Sequence, residues 1–243
     1  MWLRSVAAII ITSLQLKPTE KSPTAQQDCP SKKADRYGNP IVDVLPKHYR
    51  WPNATVPYLI ADGFDLQEVA TISKAMETLE NVSCVRFVRR SHQNNYLLVT
   101  NQMEGGCWAD TGRQRQPPTY LNIPHECTHN LGTVLHELMH VLGFLHQHTR
   151  PDRDRHVCIL YENVVPEPGA LYNYEIVEPS TDLAFPVPYD YESIMHYRPD
   201  MYSIEPGRLV TMVPQKPWIG TKIGHRDRLT EFDVLAINFL YCV

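Results

Sequence analysis

The stretch His136-Glu137-Leu138-Met139-His140-Val141-Leu142-Gly143-Phe144-Leu145-His146 decides how this 243-residue chain is read. The segment from Leu131 to Leu142 is apolar nearly all round and of helical length, which predicts a buried helix. An imidazole or carboxylate on such a helix needs a partner, because desolvating it alone costs several kcal/mol. Residues four apart share one helix face, so His136 and His140 can reach a single metal ion. Glu137 lies about 100° round from His136, beside that ion and clear of both imidazoles. Gly143 can adopt the left-handed conformation that ends a helix and turns the chain sharply. The turn brings His146 towards the same ion. Three imidazoles leave one tetrahedral position open, as in a catalytic rather than a structural zinc site. The expectation is one Zn2+ held by His136, His140 and His146, with Glu137 as the catalytic base. A bare His-Glu-x-x-His can arise by chance; Gly143 and His146 make the longer pattern specific. The competing reading, a helix of satisfied core histidines, must explain three histidines, a glutamate and a glycine in register.

Upstream, Val56 to Ile60 is strand-like and Gly63 ends it. Asp65 opens a helix, with Glu68 at capping-box spacing. Leu66, Val69, Ile72, Met76 and Leu79 follow at intervals of three and four and form one apolar face. Further strands are expected at Val85 to Val88, Tyr96 to Thr100 and Tyr120 to Ile123. Residues 144 to 228 are rich in Pro, Gly and Tyr and carry little periodicity. Thr230 then caps a last helix bearing Val234, Ile237, Leu240 and Tyr241. No internal repeat is present.

Composition bounds the function. Hydrophobic residues make up 43% and charged residues 21% of the chain, ordinary for a globular protein. A formal net charge of −4 argues against a nucleic-acid partner. No apolar run approaches the ~20 residues that span a bilayer. Residues 1–16, with Arg4 ahead of an apolar stretch from Val6 to Leu16, have the form of a signal peptide. Residues 17–36 are polar and read as a pro-segment, leaving 37–243 as the folded domain. Six cysteines without a C-x-x-C pair suit disulfides and secretion, and the triplets at Asn53 and Asn81 suit a glycoprotein.

The run Gly143 to Asp154 and the later Ser193-Ile194-Met195-His196-Tyr197 closely resemble the zinc signature and Met-turn of the astacin family of metzincin endopeptidases. The likeness extends from Arg50-Trp51-Pro52 through Gly106-Cys107-Trp108 and Arg226-Asp227-Arg228-Leu229 to Tyr241-Cys242. It implies an α+β zincin-like domain. Its N-terminal lobe would hold a twisted, mostly parallel sheet and two long helices. Its C-terminal lobe would be irregular with a terminal helix, and the active-site cleft would lie between the lobes. By the same resemblance, Met195 forms a floor beneath the ligands, and Tyr197 is a switch tyrosine that stabilises the oxyanion. A polypeptide substrate binds extended along an edge strand at Tyr120 to Ile123. Cys84 pairs with Cys242 and Cys107 with Cys127.

Two features depart from the family pattern. Gln147 stands where a glutamate usually meets the mature N-terminus, and no clear aspartate switch precedes Trp51. Cys29 either binds the zinc through its thiolate or pairs with Cys158, and maturation is expected near Arg36. Arg198 either favours an acidic primed-side residue or faces solvent. The expected protein is a secreted, monomeric zinc metalloendopeptidase. A decoy or adhesion protein that kept the fold, or a metallohydrolase acting on non-peptide substrates, is the rival.

Overall fold

A computed structural model describes residues 46–177, 187–215, 220 and 222–242. The signal and pro-segment assignments, and with them Cys29 and its pairing to Cys158, lie outside the described residues.

The first strand, β1 (Thr55–Ile60), pairs in parallel with β2 (Arg86–Arg89) and β3 (Leu97–Thr100). β3 continues in parallel to β5 (Thr119–Asn122), and the two-residue β4 (Trp108–Ala109) adds antiparallel to β5. The sheet order β2-β1-β3-β5-β4 is therefore mostly parallel, as expected.

β5 is not the edge of this sheet, which corrects the expectation for Tyr120 to Ile123. Tyr120 has a neighbour on both sides: Leu98 of β3 on one, and on the other Asp110, whose N–H donates to the Tyr120 carbonyl at 2.9 Å and whose Oδ2 accepts from Tyr120 N–H at 2.8 Å. The turn at Gly105 and Gly106, both at positive φ, folds the chain back, and the Cys107–Cys127 disulfide clips it beside β5. The outer edge is β4.

The helix α1 (Leu66–Val82) starts with the predicted capping box between Asp65 and Glu68. It buries Ile72, Ala75, Met76 and Leu79 against the sheet and the metal-site helix. Leu66 departs from that face and is 90% exposed. It is the first helical residue and projects beyond the core, whereas Glu68 turns inward to close the cap. The short α2 (His125–Thr128) leads into α3 (Leu131–Val141), which packs on α1.

Beyond α3 the chain is irregular among the described residues. It carries a small ladder of β6 (Val157–Ile159) with β7 (Met212–Pro214), and the five-residue α4 (Pro168–Tyr172). The last helix, α5 (Glu231–Tyr241), begins at Thr230 with a second capping box and returns Ile237 and Leu240 to the main core. Cys84–Cys242 then ties its end to the strand side. Both disulfides implied by the resemblance are formed.

Candidate metal centre

α3 is fixed at both ends before it presents any chemistry. At its start, Asn130 Oδ1 accepts the N–H groups of Gly132 and Thr133. Gly132 sits so close to the Arg226 carbonyl that a Cβ there would lie 1.9 Å from its oxygen. At its end, Gly143 has φ +98. Its N–H bonds the His140 carbonyl, and Phe144 N–H bonds that of Met139, which is the Schellman pattern. Trp51 Nε1 and the Tyr241 hydroxyl donate to the Val141 and Leu142 carbonyls, each at 2.8 Å. The glycine turn thus forms as the spacing predicts, and two aromatic donors from distant parts of the chain hold it.

The consequence is convergence of three imidazoles. His140 Nε2 lies 3.1 Å from His146 Nε2, which in turn lies 3.3 Å from His136 Nε2. Two nitrogens on one tetrahedral zinc, each at about 2.0–2.1 Å, would stand roughly 3.3–3.4 Å apart, so the donors fit that ion. The far nitrogens support this. His136 Nδ1 donates to the Ile194 carbonyl at 2.7 Å and His140 Nδ1 to the Phe144 carbonyl at 2.8 Å. These bonds fix the tautomer that leaves each Nε2 lone pair for a metal. Burial lowers the pKa of all three rings, that of His140 to about 4, which keeps them in the neutral, metal-binding form.

Glu137 is buried beside them, and desolvation raises its pKa to about 7 while the Arg226 charge pulls the other way. Tyr197 is buried with its ring 4.5 Å from that of His146 and 3.9 Å from that of His148. Burial pushes its hydroxyl pKa up, so it stays protonated as a donor. Met195 is buried in the main core, and its carbonyl accepts from Gln147 N–H at 3.0 Å. The turn from Ser193 to Tyr197 is itself clamped by α5. Asp233 accepts from Ser193 Oγ at 2.6 Å and from the N–H groups of Ile194 and Thr230, both at 3.0 Å. Arg150, within the signature run, is 1% exposed and bonds Asp152 through both Nε and Nη2 at 2.8 Å. It supports the loop that carries His146 and does not reach the metal centre.

The histidines, Glu137 and Tyr197 line one open cleft of about 810 Å³, together with Cys107, Trp108 and Ala109. Arg198 also reaches its wall, 3.5 Å from Asp200. Arg226 is a cleft residue that the sequence offered only as part of a longer likeness. Its Nη1 donates to the His196 and His225 carbonyls, and its charge acts on Glu137 and Tyr197. No local pattern marks an arginine brought there from across the fold.

Fold and site together define a zinc-dependent metallopeptidase. Residues 44–242 match the family model for the Astacin peptidases, and the chain belongs to the astacin family. It is 37% identical over 193 residues to human Tolloid-like protein 1, covering 79% of this chain and 19% of that protein. High choriolytic enzyme 1 of Oryzias latipes is 36% identical over 187 residues, covering 76% of this chain and 65% of the relative. The chain thus spans only about a fifth of the first curated relatives it matches. A solved structure of the Oryzias latipes enzyme, a hatching enzyme zinc-protease, superposes with a TM-score of 0.69 at 35% identity. That match covers 79% of this chain and 92% of that one. Myroilysin, at 18% identity and a TM-score of 0.54, shares the fold alone.

Proposed function

We propose that this chain is a secreted endopeptidase that cleaves extended polypeptides, with Glu137 as general base and Tyr197 as oxyanion donor. The observation that carries the proposal is the grouping in one open cleft of three converging Nε2 atoms and a buried carboxylate. When bound by His136, His140 and His146, zinc supplies a Lewis acid for the scissile carbonyl and lowers the pKa of water to ~7. Glu137 accepts a proton from the attacking water and returns it to the leaving amine. Tyr197 O–H donates to the developing oxyanion. Met195 forms an apolar floor beneath the site.

The substrate strand adds to β4. Asp110 N–H bonds the Tyr120 carbonyl, so the alternation of an antiparallel ladder turns the N–H and C=O of Ala109 outward. Ala109 lines the same cleft as the histidines. Arg226 and Arg198 give the cleft a positive wall that favours acidic residues near the cut. Secretion is supported by the two disulfides, which persist in oxidising compartments.

Peptide cleavage, measured beside metal content, tests the reading. The parent protein should cleave and a chelator should stop it. Glu137→Gln should keep its zinc while kcat/KM falls by about 10²–10⁴. Substantial turnover in that variant would sink the assignment.

A further inference from the structure

His125 and His129 form a second pair of imidazoles outside the cleft. Their Nε2 atoms are 3.2 Å apart, with ring centroids at 4.6 Å and planes at 82°. His140 and His146 of the metal centre show nearly the same geometry, with Nε2 atoms 3.1 Å apart, centroids at 4.6 Å and planes at 89°.

The surroundings set the donor atoms. His125 Nδ1 lies 2.9 Å from Glu68 Oε1. A carboxylate only accepts, so Nδ1 carries the proton and the Nε2 lone pair of the neutral ring faces His129. A carboxylate behind an imidazole is the arrangement that orients metal-ligating histidines. Glu68 is itself held in place: it is buried, and its Oε2 accepts from Asp65 N–H at 2.6 Å. Asp65 Oδ1 in turn accepts from Glu68 N–H at 2.8 Å. The capping box therefore engages both carboxylates of the Asp65, Glu68 and His125 group, and the paired imidazoles supply the better ligands.

We propose that His125 and His129 chelate a second divalent ion, zinc, through their Nε2 atoms, with Glu68 as the positioning residue for His125. Imidazole donors favour zinc, copper or nickel over harder cations. Both rings are exposed, so water can complete the coordination. The ion would span α2 and, through Glu68, brace it against the first turn of α1. Cys127 lies between the two histidines and bonds Cys107, the residue before β4. Loading would therefore stiffen the anchor of the strand that forms the cleft edge.

The test uses the full chain with zinc in the cleft, dialysed against buffered micromolar Zn2+, with metal content and melting temperature as readouts. A second equivalent should bind, and the melting temperature should rise with free zinc. His125→Gln and His129→Gln, both at exposed positions, should each lose that second equivalent, keep the first, and show no zinc-dependent melting. Glu68→Gln, which preserves a capping acceptor, should weaken the second site by about 10–100-fold. Absence of a second equivalent in the parent protein overturns the proposal, as does its survival in His129→Gln. Metal content reports this independently of peptide cleavage, so failure here and failure of the catalytic reading are separable.

Discussion

In the proposed mechanism, Tyr197 separates transition-state stabilisation from metal binding at the level of one atom. Tyr197→Phe removes the hydroxyl and keeps the ring that packs against His146 and His148. Loss of a preorganised oxyanion donor is expected to lower kcat by about 10²–10³ with little change in KM. Zinc content should remain at the parent level, and steady-state kinetics beside metal analysis checks both. His136 and His140 illustrate the complementary point, that a ligand is made by its second nitrogen as much as by its first. Their Nδ1 bonds to the Ile194 and Phe144 carbonyls decide which lone pair faces the point where the three rings converge. The residue types and spacing were legible in the sequence. The Ile194 partner was not, because it lies 58 positions away from His136.

At the scale of elements, β4 and α5 carry the two informative tests. Ala109→Pro removes the outward N–H of the edge strand without taking a bond from the β4–β5 ladder. If substrate adds there, the loss of one hydrogen bond should raise KM about 2- to 10-fold with zinc content intact. An unchanged KM would place the substrate elsewhere. In α5, Asp233 serves three donors at once. Asp233→Asn leaves a single accepting oxygen, so a buried donor goes unpaired and about 1–3 kcal/mol of stability is lost, readable by thermal melting. The capping boxes of α1 and α5 were both visible as local spacings. The outer position of β4 was not, because two residues make no periodic signal and their place depends on a disulfide closed across 20 residues. The same limit explains Leu66. Its spacing fits the apolar face, yet the first turn of α1 extends past the layer that the rest of the helix covers.

At the scale of the whole molecule, Cys84–Cys242 joins residues 158 positions apart and closes the C-terminal half back onto the sheet side. In the chain-entropy view, removing a link of that span with Cys84→Ala and Cys242→Ala costs about 5 kcal/mol. Denaturant titration should show the midpoint fall, and activity should be lost at lower temperature than in the parent. The closure also sets the cleft. α5 ends at this disulfide, its first turn holds the Met195 turn, and its Tyr241 caps the glycine turn of α3. One helix therefore links both walls of the metal centre.

The sequence by itself determined that His136, His140 and His146 converge and that Glu137 stands beside them, because a helical repeat and a glycine turn convert spacing directly into geometry. It also determined the family, through motifs that run along most of the chain. Only the tertiary structure decided which strand is the edge, that the Ile194 carbonyl orients His136, and that Arg226 reaches Glu137. Each of those depends on contacts between residues far apart in the chain, and no local periodicity encodes them.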